Sequence, residues 1–453
     1  MEGEIFVVTG HGHGHLHPCI QLCYRLAKRN FHTTLVISSS LSSAIPSSFI
    51  RNPLACVLPI APSGPLSPQS AHDLHAHLAN RCHISDSPRP LCAVVDFQMG
   101  WTKVAFWKFG IPVISLFTFG ACAAAMEWGA WKVQAGDLLP SEARLVPGLP
   151  QEMAITDSDL KRKVFMPAGK GRRGAPRPGD RPPWVPEIEG SIGLIFNTCD
   201  DIDGLFIKYM EDQTGLPAWG VGPLLPEIYW GSTSSDSIRD GVIGDHKRES
   251  NFTEDEVFRW LESKPRGSVL YVAFGSEVGP TMEEYQQLAS GLEESTRPFI
   301  WVIQTGKGYD SCGLDLETRA GDRGLIIYGW APQLLILGHR SAGGFLSHCG
   351  WNSTMEAIGV GVPILAWPIR GDQYYNAKLI VSYLKVGYRV ADDLAEMVNK
   401  DDIVKGIEKI MEDKEMHERV LLIKAKLKDD GFPPSSEAAL DAFREFIINP
   451  TSN

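Results

Sequence analysis

The chain has 453 residues, more than one compact core accommodates, which points to two or three domains. Hydrophobic residues make up 43% and charged residues 21%, a balance that excludes an extensively disordered protein. With a net charge of −11 and no dense basic block beyond the short "GKGRRGAPRPGDR", nucleic acid is not an expected partner, and an anionic ligand has to be held by backbone amides and helix ends. Nine scattered cysteines, an odd number without a C-x-x-C pair, read as reduced thiols of a cytoplasmic protein. The start "MEGEIFVVTGHG" has neither a basic segment nor a long apolar run behind it, so no signal peptide is expected. No window approaches ~18 uninterrupted apolar residues, so no membrane span is expected either.

"IFVVT" (5–9) reads as a first strand and "PCIQLCYRLAKRN" (18–30) as a helix with proline in its first turn. Between them, "GHGHGHLHP" places histidines at 11, 13, 15 and 17 in what reads as a polar turn. A metal site, one catalytic base among bystanders, and a pliant glycine turn are the three readings of that run. Zinc needs three or four converging ligands, and alternate residues converge only while the segment stays extended. The interleaved glycines weigh against that geometry, and no metal is expected. A dinucleotide fingerprint also fails, because Gly10 and Gly12 fit G-x-G-x-x-G but His15 takes the third glycine's place.

Strands follow at "TTLVIS" (33–38), "LCAVV" (91–95) and "PVISLF" (112–117). From 151 to 191 the pattern breaks into proline, glycine and charge, the mark of a long loop, before "IGLIFN" (192–197) restores a strand. "DDIDG" (200–204) contains an Asp-x-Asp triplet, read here as an acidic helix start rather than a metal site. A second break, "LLPEIYWGSTSSDSIRDGVIGDHKRESN", reads as a linker. Thr253 with Glu256, and Thr281 with Glu284, have the spacing of reciprocal caps at two helix starts. "SVLYVAF", "PFIWVI", "GLIIYG", "AGGFL" and "VPILAW" are strands of a second half, and the last fifty residues are helical in pattern.

Short apolar runs alternating with helical stretches indicate α/β units on parallel sheets. The expected architecture is two Rossmann-like βαβ domains facing each other across a cleft. The first domain spans 1–230, a linker 231–252 and the second domain 253–430. A final helix in 431–453 could return to the first domain.

The richest chemistry lies between Trp330 and Gln373, "WAPQLLILGHRSAGGFLSHCGWNSTMEAIGVGVPILAWPIRGDQ". Strand "AGGFL" runs through a glycine turn into a helix whose first amides, at Asn352 and Ser353, form an anion site suited to phosphate. His348, Asn352 and Ser353 add side-chain donors. Glu356, one turn on, is acceptor-only when ionised and suits two ribose hydroxyls rather than phosphate. Trp330 offers a flat face for a base, and Asp372 with Gln373 could grip sugar hydroxyls. Base, ribose, phosphate and sugar together describe a nucleotide sugar.

With W-A-P-Q, H-C-G-W-N-S, the glutamate, G-V-P, W-P and D-Q all in place, this stretch resembles the signature box of the plant family 1 UDP-dependent glycosyltransferases. The resemblance implies a GT-B fold and an inverting hexosyl transfer, with no resident cofactor and no metal. It implies that Trp330 stacks on uracil beside Ala331 and Gln333, and that Glu356 binds ribose. It assigns His348, Asn352, Ser353 and Ser276 to the diphosphate, and Trp351, Asp372 and Gln373 to the sugar. A final glutamine in this family goes with glucose, so UDP-glucose is the expected donor. The family pattern G-H-x-x-P matches "GHLHP" (14–18) and selects His15 as the base, with Asp96 as its carboxylate partner and Thr118 toward the donor sugar.

Imidazole accepts a proton near neutral pH, and a carboxylate behind it fixes the tautomer. Phe119, Met126, Trp128 and Trp184 are candidates for an apolar acceptor pocket, each equally suited to a core. The expected partners are a small hydrophobic acceptor and the UDP-sugar, bound by a monomer. The acceptor's identity, the linkage formed and the part played by the 169–184 loop stay open. So do two rivals: an enzyme acting on the UDP-sugar alone, and a silent UDP-sugar binder.

Overall fold

The apolar run at the start of the chain forms β1 (Gly3–Val8), buried along its whole length as the middle of a two-sided parallel sheet requires. The computed structural model describes residues 2–62, 68–81, 88–162, 177–231, 250–304, 314–427 and 431–449. The expected linker at 231–252 therefore lies almost wholly outside the described residues, as does the first part of the 169–184 loop. By packing, the chain divides into two units. One comprises Met1–Ala125, Arg181–Glu227 and Phe432–Asn453; the other comprises Met126–Asp180 and Ile228–Gly431.

In the first unit β1 is joined by β2 (Phe31–Ser38), β3 (Ala55–Ile60), β4 (Pro90–Asp96), β5 (Val113–Phe117), β6 (Leu194–Phe196) and β7 (Ala218–Gly220). The order is β3-β2-β1-β4-β5-β6-β7, with every pair parallel. Val7 pairs with both Leu35 and Val94, so the chain leaves β1 and β4 in opposite directions and opens a crevice at their carboxyl ends. β3 was not anticipated. Its "ACVLPI" carries Pro59, which an edge strand tolerates because one side of it makes no ladder bonds.

The helix expected from residue 18 begins five positions earlier, as α1 (His13–Ala27), with Gly12 as its N-cap at φ 87°. Of the glycines read as a turn, Gly14 is helical and Gly12 caps the helix, and Pro18 sits inside it. α2 (Ala121–Lys132) follows β5, and α3 (Asp200–Thr214) starts on Asp200, Asp201 and Asp203, the acidic first turn that the triplet suggested. Leu16, Ile20, Leu22 and Leu26 of α1 bury themselves against Ile5, Val7, Val94 and Ile114 of the sheet.

The second unit has β8 (Val269–Ala273), β9 (Phe299–Ile303), β10 (Gly324–Tyr328), β11 (Ala342–Ser347), β12 (Ile364–Ala366) and β13 (Gly387–Arg389). Their order is β10-β9-β8-β11-β12-β13, again all parallel, with its switch point between β8 and β11. Both predicted capping boxes are formed. Thr253 and Glu256 cap helix Glu254–Glu262, and Thr281 and Glu284 cap helix Met282–Glu294. Two helices carry the site described below: α4 (Trp351–Val360) after β11 and α5 (Gln373–Lys378) after β12.

The last helix, α6 (Pro434–Ile448), belongs to the first unit. Its Leu440, Phe443 and Ile447 join the α1 face of the core, and the Phe443 and Phe446 rings meet Trp219 at 5.5 and 5.0 Å. The described residues of 126–180, placed by sequence within a first domain ending at 230, pack instead with the second unit. Polar contacts hold them there. Asp159 lies 2.6 Å from Lys378 and 3.2 Å from Arg389, and the Arg162 guanidinium covers the Tyr374 ring at 4.5 Å. The stretch read as one long loop, 151–191, contains the short strand 155–156, which pairs antiparallel with 143–144 before it, and helical turns Asp157–Leu160 and Val185–Ile188.

Candidate active site

Three loops of the first unit converge at the carboxyl ends of β1, β4 and β5. His15 is the third residue of α1, and its Nδ1 lies 2.6 Å from an Asp96 carboxylate oxygen. Asp96, the last residue of β4, is fully buried, while the His15 side chain keeps 19% of its surface accessible. The Gln98 backbone N–H donates to the other Asp96 oxygen at 2.9 Å. The carboxylate is thus held on both sides, and a neutral His15 that donates from Nδ1 has Nε2 as its acceptor nitrogen.

The Thr118 hydroxyl, expected toward the donor sugar, lies 2.9 Å from the same Nδ1. Its backbone carbonyl accepts from the Asn197 amide at 2.9 Å. Gly10 allows this crowding: a Cβ there would come within 2.9 Å of Gln98, Asp96 and His15. Sequence reasoning missed Gln98 and Phe97, whose one signal is adjacency to Asp96. Gln98 accepts from the His11 N–H at 3.1 Å, and the Phe97 ring faces His15 at 6.2 Å.

Of the other histidines, His13 and His17 stack with ring centroids 5.6 Å apart, as neighbours one helical turn apart do. Helical rotation separates that face from the one carrying His15. Among the described residues no group of three or more His, Cys, Asp or Glu is placed to hold a metal ion. Asp203 of the acidic triplet is buried at the start of α2, where it accepts from the Cys122 N–H at 3.4 Å; burial raises its carboxyl to about 7.

The four acceptor candidates are all buried. Phe119 is the one tied to the His15 neighbourhood, meeting Phe97 edge-on at 5.5 Å. Trp184 packs edge-on against Phe117 at 5.2 Å. In the second unit Met126 is fully enclosed, and Trp128 meets Trp131 at 5.3 Å.

In the second unit the loops after β8, β10, β11 and β12 bring the Trp330–Gln373 residues to one sheet edge. Half-buried Trp330 follows β10, with buried Ala331 beside it. The Gln333 side-chain amide donates to the Ser353 hydroxyl at 3.0 Å and to Glu356 at 2.6 Å, and its carbonyl accepts from the Tyr271 hydroxyl at 3.3 Å. Burial lifts the Glu356 carboxyl to about 7, with the Gln333 bond pulling the other way. Tyr229, also missed from sequence, donates to the Met355 carbonyl at 3.0 Å and braces α4.

The first turn of α4 carries Trp351, Asn352 and Ser353; its N-cap is Gly350, and no side chain caps it. The helix dipole and these amides give an anion site. His348 lies beside it. Burial, with Arg370 nearby, brings its pKa down to about 4, so it is neutral at physiological pH and offers at most one N–H. Gly275, at φ 73°, leaves room for that ring, because a Cβ would sit 2.9 Å from its Nε2. Exposed Ser276 follows on the same loop, and Glu277 pairs with Arg370.

Gln373 is almost enclosed. Its side-chain oxygen accepts the Ile369 and Arg370 N–H groups at 3.0 and 2.9 Å, which turns its NH2 into the remaining functional end. Asp372, the N-cap of α5, accepts from Asn376 at 2.7 Å. The arrangement offers an aromatic face, a carboxylate, helix-end amides and a carboxylate–amide pair along one edge.

Residues 242–447 match the family model described as UDP-glucoronosyl and UDP-glucosyl transferase. The chain is 35% identical over 344 residues to UDP-glycosyltransferase 73C5 of Arabidopsis thaliana, an alignment covering 72% of this chain and 66% of that one. It is 30% identical over 458 residues to UDP-glycosyltransferase 73C10 of Barbarea vulgaris, covering 90% and 88%. Among solved structures, Medicago truncatula UGT71G1 complexed with UDP-glucose superimposes with a TM-score of 0.77 at 23% identity, covering 99% of this chain and 98% of that one. That structural likeness extends to the fold, GT-B with two parallel-sheet Rossmann-like domains.

Proposed function

Because the chain belongs to the plant family 1 UDP-dependent glycosyltransferases, we propose that it transfers glucose from UDP-glucose to a hydroxyl of a small hydrophobic plant metabolite. The product is a β-glucoside. The flavonoids, terpenoids and steroids are the acceptor classes that suit an apolar pocket. The observation that carries this reading is the Trp330–Gln373 edge, where a stacking face, a ribose acceptor, uncapped helix amides and a sugar-binding pair follow one another in the order of a nucleotide sugar's parts.

In the proposed step His15 Nε2 takes the acceptor proton as the acceptor oxygen attacks the anomeric carbon. The bond from that carbon to the diphosphate oxygen breaks, and UDP leaves with the electron pair. Asp96 stabilises the imidazolium, a contribution of roughly 10²–10⁴-fold for general-base assistance. The α4 amides, with Asn352, Ser353, His348 and Ser276, offset the charge of the leaving diphosphate, a larger share of the rate. No metal takes part in this step. Trp330, Ala331 and Gln333 hold the uracil; Glu356 holds the ribose; Trp351, Asp372, Gln373 and Thr118 hold the sugar. Phe119 is the acceptor-side residue nearest this chemistry.

No helix among the described residues is long and apolar enough to cross a membrane, and the seven described cysteines are free thiols. A monomer working in the cytoplasm is part of the same proposal. The test is an acceptor panel incubated with UDP-glucose and then with other UDP-hexoses, with product mass and anomeric configuration read by NMR. A β-glucoside with UDP released in equal amount is expected. UDP-sugar turnover without acceptor, or no turnover with any acceptor, overturns the reading.

A further inference from the structure

We propose that Asn376 is a positioning residue which sets, with one side chain, both the turn that receives the diphosphate and the carboxylate that receives the sugar. Asn376 lies on α5 and is fully buried. Its NH2 donates to the Asp372 carboxylate at 2.7 Å and to the Cys349 backbone carbonyl at 3.0 Å. Two acceptors on the same nitrogen fix which way the amide faces.

Cys349 is the second observation. It sits at φ 61°, in the left-handed region that a residue with a side chain enters only when its surroundings hold it there. Both ends of the strained residue are gripped. Its N–H donates to the Ser347 hydroxyl at 3.1 Å, and its carbonyl accepts from Asn376. The next residue, Gly350, is the N-cap of α4, so the Cys349 conformation sets the direction in which the first amides of that helix point. Asn376 therefore acts on the anion site through Cys349 and on the sugar site through Asp372.

The third observation is a cost. The Asn376 side-chain oxygen is buried with no hydrogen-bond partner among the described residues. A leucine of similar size would leave no such orphan, so space-filling alone gives no reason for an asparagine here. The two donated bonds do.

The inference rests on the reading that a UDP-hexose occupies this edge, and the experiment separates the two. The full chain and its variants are titrated with UDP and assayed with UDP-glucose and UDP-galactose. If the unaltered protein neither binds UDP nor turns over UDP-glucose, the functional reading fails. If it does both, Asn376 is judged on the variants alone.

Asn376→Ala and Asn376→Leu are both expected to weaken UDP binding about tenfold, the loss of one well-made bond, and to narrow the preference for glucose over galactose. Leucine fills the space, so a residue needed only for packing would be replaced by it without loss. Cys349→Gly in the Asn376→Leu background is expected to restore UDP affinity, because glycine holds a positive φ unaided, while sugar preference stays lost because Asp372 still lacks the Asn376 bond. Unchanged UDP affinity and sugar preference in Asn376→Leu would overturn the proposal. So would a folded double variant whose UDP affinity stays low.

Discussion

His15 and Asp96 stand 81 residues apart in the chain and 2.6 Å apart in space, joined through the imidazole Nδ1. That contact decides which nitrogen is basic. Asp96→Asn can present an N–H to Nδ1, shifting the proton to Nε2 and removing the base. Transfer is expected to fall about 10²–10⁴-fold while UDP affinity stays within about twofold, as read by product formation and calorimetry.

His15→Ala separates chemistry from binding in the same way. Glycoside formation should vanish and UDP should still bind with unaltered affinity, since His15 belongs to the first unit and the residues of the Trp330–Gln373 edge to the second. Equal loss of both would make His15 a structural residue.

Glu356 gives a pH signature. Burial lifts its carboxyl to about 7, so much of it is protonated at neutral pH and below, whereas two ribose hydroxyls need an ionised acceptor. Uridine, which has no phosphate to titrate, should bind progressively less well from pH 8 to pH 5.5, approaching tenfold per unit below 7. Glu356→Gln should flatten the profile. Stability runs the other way. A folded pKa above the unfolded value stabilises at low pH, and that contribution fades as pH rises through about 7, so Glu356→Gln should raise the melting temperature at pH 8 and change it little at pH 4. His348, whose pKa burial lowers from 6.5 to about 4, adds a slope of the opposite sign as pH falls below about 6.5, and comparing Glu356→Gln with the unaltered protein at each pH cancels it.

Gln373 uses its oxygen for two backbone N–H groups, and in the proposed reading its NH2 donates to the sugar. Gln373→Glu preserves the acceptor and deletes the donor. It should lower kcat/KM for UDP-glucose by about tenfold or more and leave UDP affinity nearly unchanged. An unaltered preference for glucose would remove Gln373 from sugar recognition.

Asp159 is buried between Lys378 and Arg389, and although burial alone would raise its pKa, those two cations more than offset it. Asp159→Ala leaves Lys378 buried without its partner and should cost about 3–5 kcal/mol in denaturant unfolding. Because the carboxyl is held below its ordinary value, the pair's contribution persists above about pH 4 and disappears as pH falls further.

The parts of this fold that show in the sequence are those written locally. Runs such as "LYVAF" and "FIWVI" declare buried strands because both faces are apolar, and Thr281 with Glu284 declares a helix start because both cap bonds lie within four residues. The strands at 218–220 and 387–389 are too short to register as a pattern, and Pro59 disguises the edge strand. Glycines at 12 and 14 make a helix look like a turn. The grouping of Asp159 with Lys378 leaves no trace at all, since the pair spans 219 residues and no periodicity connects them. Around the candidate sites, the braces behind the named residues did not show: Tyr271, Tyr229, Gln98 and Asn376 each act on a neighbour distant in sequence.

The placement of α6 bears on how the molecule is made. Trp219 waits for Phe443 and Phe446, which a ribosome supplies only after the entire stretch Ile228–Gly431 has emerged. The later unit can finish folding while the earlier one is still open. A nascent chain halted before residue 432 therefore carries one completed sheet and one whose apolar flank is bare, a form that chaperones and proteases will meet first.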